Sequence, residues 1–171
     1  MLKMTSMTYL TIGKARFIGA DVKFEGDDAW DTKDLWEKMW QTTEAHREEL
    51  HALLTEYGTE IQFPCSLVHS GNQELATDVH YIAGYFFREN TPIPAGLQFY
   101  DIKTIQVGFA VFQNTDEPKD LENAYISARD RILQEGHGIP YPEGYWNAEV
   151  HTGGDTSGED NNFGYMFPIS E

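Results

Sequence analysis

The sequence repeats itself at long range. Gly84-Tyr85-Phe86-Phe87 is echoed eighty positions on by Gly164-Tyr165-Met166-Phe167. Phe17-Ile18-Gly19-Ala20 is echoed by Gln106-Val107-Gly108-Phe109-Ala110, eighty-nine positions on counted by the glycine. A chain written twice folds as two like halves that meet at a seam, and small-molecule sites favour concave seams between packed units.

The apolar pattern supports two halves of the same order, strand(s), helix, strand, strand. In the first half, about residues 7–88, alternation around Tyr9, Ile12, Phe17, Ile18, Val22 and Phe24 predicts strands with a turn near Gly13-Lys14. Asp31 or Thr32 can cap a helix running to about Leu54, with Leu35, Trp36, Met39, Trp40, Leu50, Leu53 and Leu54 apolar and Gly58 beyond its end. Strands over Pro64–His69 and Val79–Phe87 follow, joined by a turn at Ser70-Gly71-Asn72. Residues 88–96 carry two prolines and a glycine and form a short connector inside one domain that spans residues 1–171. The second half, about residues 97–170, has strands Leu97–Ile102 and Ile105–Phe112, then a helix from Leu121 to about Glu135. Strands Tyr145–His151 and Phe163–Ile169 end it, flanking a polar loop. The fold class this predicts is α+β: a largely antiparallel sheet with two helices packed on it, related by a pseudo-two-fold axis.

Charge and cysteine content narrow the function classes. The chain of 171 residues has 28 acidic and 12 basic residues, a net charge of −16. A phosphate backbone needs a basic footprint, so direct nucleic-acid binding is not expected. The same field favours a cationic ligand, although acidity alone also serves solubility. Cys65 is the single cysteine, so no internal disulfide forms. Without an apolar leader or a membrane-length run, the expected compartment is the cytosol and no membrane partner is expected.

The candidate site residues are aromatic and acidic. Trp36, Trp40, Tyr81, Tyr85, Tyr145, Trp146 and Tyr165 fall on the inner elements and suit planar or cationic ligands. Trp36 and Trp40, four apart on a helix, equally suit a helix core. Glu149 lies inside a predicted strand, where alternation puts Asn147, Glu149 and His151 on one face and Trp146, Ala148 and Val150 on the other. A carboxylate lining the seam is partly desolvated, a cost that a bound cation recovers. Under the eighty-position offset, His69 is the counterpart of Glu149 and could tune its charge. No metal or cofactor motif is present. His46 and His51 do not share a helix face, 155–160 lack a calcium-loop pattern, and Cys65 with His69 are too far apart to form a nucleophile pair.

Several runs resemble the GyrI-like small-molecule-binding domain, the effector-binding domain of AraC- and MerR-type multidrug-responsive transcription regulators. They are Tyr81-Ile82-Ala83-Gly84-Tyr85, Ile93-Pro94-Ala95-Gly96-Leu97, Gly108-Phe109-Ala110-Val111-Phe112, Phe17 to Val22, Leu35 to Trp40, and Phe167-Pro168-Ile169. The resemblance covers nearly the whole chain. It implies a duplicated fold with an aromatic ligand cleft where the halves meet, and it places Glu149 at the family's acidic strand residue. Tyr85, Trp146 and Tyr165 carry over to the cleft wall. No helix-turn-helix precedes the domain, so a stand-alone binder of hydrophobic, cationic or aromatic compounds is expected, acting as a sensor or sequestering protein. Two alternatives stay open: a hydrolase of reactive, cyclopropane-bearing compounds using Glu149 with Tyr85 or Tyr165, and an acidic inhibitor of a protein partner such as DNA gyrase.

Overall fold

The computed structural model describes residues 2–24, 33–70, 79–113, 118–140, 146–152 and 162–171. The strands are β1 (Lys3–Ile12), β2 (Ala15–Phe24), β3 (Cys65–Ser70), β4 (Val79–Arg88), β5 (Gln98–Ile102), β6 (Ile105–Gln113), β7 (Trp146–Val150) and β8 (Phe163–Pro168). The helices are α1 (Lys33–Ala45), α2 (Arg47–Tyr57) and α3 (Pro118–Gln134). The fold class is α+β, with every ladder of the sheet antiparallel. The expected first-half helix is observed in two pieces, α1 and α2, broken at His46. Its predicted caps, Asp31 and Thr32, lie outside the described residues, as do Gly71 and Asn72 of the predicted turn and most of the polar loop after β7.

Helix ends follow their chemistry. Glu48 and Glu49 sit in the first turn of α2, where the helix dipole favours negative charge. The N–H of Gly58 donates to Leu54 O at 2.9 Å and stops that helix. Gly136, with φ at 90°, ends α3 in a Schellman arrangement. Its N–H donates to Leu133 O and that of His137 to Ile132 O.

The strand order is β1-β6-β8-β7-β3-β4-β2-β5. Exchanging the halves reads this order backwards, so a pseudo-two-fold axis runs through the central β7–β3 pair. Each half lends its first strand to the other: β1 pairs with β6, and β5 with β2. The turns at Gly13-Lys14 and Lys103-Thr104 each join strands near opposite edges of the sheet. Chain connections this short hold the two edges close together, so the sheet is curled.

The curled interior is apolar. Ile12, Ala15, Phe17, Cys65, Leu67, Ile82, Phe86, Ile102, Val107, Trp146, Ala148, Val150 and Met166 pack together there. The outer face carries the helices. α1 and α2 cover β2 and β4, and α3 covers β6, β8 and β1. Met39 and Leu50 pack on Ile18, Tyr81, Ala83 and Phe87. On α3, Ala124, Ala128 and Ile132, each four apart, pack on Phe112, Tyr165 and Phe167. The buried Thr43 hydroxyl, 2.8 Å from Ala83 O, ties α1 to β4.

The ladder registers revise the correspondence between halves. Superposing the Gly13-Lys14 turn on Lys103-Thr104 carries Ile12 onto Ile102. Followed through the ladders, it carries Ser66 onto Glu149. Ser66 and Glu149 are also direct cross-strand partners. Glu149 therefore sits on the pseudo-two-fold axis, and its counterpart is Ser66 rather than His69.

Candidate functional site

The helical layers leave the central strands β3 and β7 between them on the outer face. Alternation along β7 sends Trp146, Ala148 and Val150 into the curled interior and turns Asn147 and Glu149 to this groove. Ser66 faces Glu149 from β3, Tyr81 rises from β4 and Tyr165 from β8. Ser66, Asn147, Tyr81 and Tyr165 are buried, whereas the Glu149 side chain keeps 21% exposure. It is the partly open acid at the base of a buried aromatic wall.

The hydroxyl of Tyr165 donates to Glu149 Oε1 at 2.6 Å. Burial pushes the Tyr165 hydroxyl well above its ordinary range, and the Glu149 charge and hydrogen bond reinforce this. The phenol therefore stays protonated and remains a donor, fixing one carboxylate oxygen. Tyr81 is raised likewise, first by burial and then by Glu149. Tyr125 of α3 stands edge-on to Tyr165, with ring centroids 5.8 Å apart.

The second carboxylate oxygen faces His151. His151 Nε2 lies 4.0 Å from Glu149 Oε2, too far for a hydrogen bond. Among the described residues this nitrogen is buried and makes no hydrogen bond. The ring meets Trp40 of α1 edge-on, centroids 5.3 Å apart, and the His151 N–H donates to Pro64 O at 2.9 Å, which holds the backbone just past β7. Burial holds the imidazole below its ordinary range, and the Glu149 charge opposes this in part.

The structure thus brings together four of the expected residues, Glu149, Tyr165, Tyr81 and Trp40. Tyr85 shares the face of Tyr81, but its hydroxyl lies 3.5 Å from His51 Nε2 on α2. Trp146 lies on the opposite face of the sheet, packed against Phe86. His69 also lies away from Glu149, stacked between His80 at 5.1 Å and Tyr100 at 4.2 Å. The side chain of Trp36 and all of Tyr145 fall outside the described residues. His151, Ser66, Asn147 and Tyr125 join the site without having been singled out. For His151 and Asn147 the signal was present, since strand alternation sets both on the Glu149 face.

Among the described residues, no group of three or more His, Cys, Asp or Glu is placed to hold a metal ion. No described helix is long and apolar enough to cross a membrane. Cys65 is fully buried, and burial pushes its thiol far above the usual range. The expected result is that a thiol reagent leaves native Cys65 unmodified over minutes and labels it stoichiometrically in denaturant; fast native labelling would contradict this burial. A separate hollow of about 600 Å³ opens beside the β1–β2 turn, lined by Leu10, Ile12, Ile61 and Phe86. The cations at its rim are engaged, Arg88 with Glu56 O and Lys14 with Glu89.

No family model and no curated relative matches the chain by sequence. Solved structures do match it. SAV2435 bound to tetraphenylphosphonium is 13% identical over 97% of this chain and 94% of its own, with a TM-score of 0.72. The EcmrR C-terminal domain is 10% identical over 97% and 98%, with a TM-score of 0.57. A hydrolase from Listeria innocua is 8% identical over 96% and 91%, with a TM-score of 0.55. What these proteins share with the chain is its α+β fold, and that fold is consistent with the GyrI-like domain that the sequence resembles.

Proposed function

We propose that the chain binds hydrophobic cations in the groove at Glu149, acting as a sensor or sequestering protein. The observation that carries this reading is the Glu149 carboxylate itself. It is held by Tyr165 through one oxygen and lies near enough to Tyr81 for its charge to act there, while Tyr125 stands edge-on to Tyr165 and Trp40 edge-on to His151; no lysine or arginine is paired to it among the described residues. A half-desolvated carboxylate with an aromatic surround recovers its desolvation cost when a cation arrives, and the rings add cation–π attraction. The structure of SAV2435 bound to tetraphenylphosphonium supports uptake of a hydrophobic cation on this fold, and EcmrR, solved in complex with DNA and with a C-terminal domain of the same fold, supports a regulatory setting. The net charge of −16 adds long-range attraction for a cation.

Calorimetry with tetraphenylphosphonium and with neutral triphenylphosphine oxide tests the reading. The cation is expected to bind more tightly, and Glu149→Gln is expected to weaken it by roughly tenfold to a hundredfold, about 1.4–3 kcal/mol. The neutral compound should be affected less than about threefold. Equal losses for both compounds, or none, would remove the carboxylate from the site.

The hydrolase reading has one observation in its favour. The Glu149–Tyr165 pair joins a carboxylate to a proton donor, which can position water and protonate a leaving group. Tyr85, the other tyrosine considered for that role, is directed to His51 instead. Product formation from an electrophilic cyclopropane, followed by mass spectrometry and abolished in Glu149→Gln, would establish turnover.

A further inference from the structure

We propose that His151 is an internal competitor for Glu149, so that the groove selects cations while this imidazole is neutral and loses that selectivity when it is protonated. The inference rests on the cation-binding reading and names what regulates it.

The geometry is unequal at the two carboxylate oxygens. Oε1 is occupied by the Tyr165 hydroxyl at 2.6 Å, whereas Oε2 faces His151 Nε2 across 4.0 Å. That nitrogen is buried and makes no hydrogen bond among the described residues. The imidazole is within reach of the carboxylate but not bonded to it. A ring rotation or small shift against Trp40, whose contact is edge-on, would close the gap. Protonation supplies the reason to close: an imidazolium beside a carboxylate in a partly buried site forms a charge-assisted hydrogen bond. The pair would then carry no net charge, and an external cation would have to displace it.

The other groups facing the pair leave this role to His151. Tyr165 from β8, Tyr81 from β4 and Tyr125 from α3 are phenols, uncharged at neutral pH, and α1 presents Trp40. Glu149 is the one charge acting on His151 among the described residues, and burial opposes its effect. The sign follows. With its protonation disfavoured by burial, the ring is neutral at neutral pH and charges only as pH falls below the ordinary histidine range near 6.5. Cation affinity is therefore full above that range and declines below it. By linkage, a bound cation must make His151 harder to protonate.

Tetraphenylphosphonium suits the test because its own charge does not titrate. Between pH 8 and pH 5.5 its affinity for the wild-type protein is expected to fall severalfold, short of the roughly tenfold that a competing imidazole of ordinary pKa near 6.5 would give. For His151→Asn it should change by less than about twofold. Parallel declines in the two proteins would overturn the competition while leaving the cation site standing. If the wild-type protein at pH 8 favours tetraphenylphosphonium no more than triphenylphosphine oxide, the site reading falls and this inference with it. An NMR titration of the His151 ring supplies an arm that needs no ligand and no change at His151. In Glu149→Gln its midpoint should drop by about half a pH unit or more, as the attracting charge is removed. An unmoved midpoint would show that the pair is not coupled and would also end the proposal.

Discussion

Gly84→Ala is expected to lower the stability of the protein by about 3 kcal/mol or more, seen as a reduced urea midpoint or as failure to accumulate folded protein. Gly84 and Gly19 face each other across the β2–β4 ladder. A β-carbon on Gly84 would stand 1.9 Å from Ile18 O, and one on Gly19 would stand 1.9 Å from Ala83 O. Both obstacles are backbone, so no side chain can rotate away and the two strands must separate. The ladder they belong to holds the floor under α1. The glycines of the second half have another reason to be small. At Gly164 the added carbon would meet the Phe109 ring at 2.3 Å, and at Gly108 it would meet Ile132 Cδ1 at 2.9 Å. Those are side chains, Ile132 a flexible one, so Gly108→Ala should cost less than Gly84→Ala. Equal costs, or a stable Gly84→Ala protein, would refute the close strand approach.

The second large effect is expected at Trp146. This side chain is 2% exposed and packs with Phe86, Phe17 and Leu67 in the curled interior. Trp146→Ala removes a large buried ring and should cost about 3–5 kcal/mol, with the spread set by how far the interior can collapse. The milder Trp146→Phe should fold and bind tetraphenylphosphonium within about twofold of the wild type. Together the two variants separate a packing role from a ligand-contact role. A Trp146→Phe protein of normal stability that lost cation affinity would put Trp146 back in the groove.

These two positions show what could be read from the residues and what could not. The order of elements was legible because apolar periods of two and of about 3.6 are local properties. The same alternation separated Trp146 from Glu149, yet the aromatic character of Trp146 and the family resemblance drew it into the expected cleft wall. The echo of Gly84 in Gly164 was real as a pattern of letters, but matching letters slide when loops and helices differ in length between halves. Hydrogen-bond register does not slide in this way. It sets Glu149 opposite Ser66 on the axis and leaves His69 beside His80 and Tyr100. Tyr85 was expected in the cleft wall; it shares the face of Tyr81, but its direction toward His51 depends on α2, whose break from α1 at His46 carries no periodic signature. The exchange of first strands between halves was invisible for a related reason: pairing across a sheet is a long-range property, and β1 and β5 read like any other strands.

That exchange has a mechanical consequence. Two lobes joined by a seam would ordinarily open and shut about it like a book. Here each lobe's outermost strand is hydrogen-bonded into the other lobe, and the spine between them is itself the continuous β3–β7 ladder. Opening the book would tear three ladders at once. A cation taken up at Glu149 as proposed would then be admitted by movement of the rings of Trp40, Tyr125 and His151, and of the helices that carry the first two, rather than by parting of the sheet.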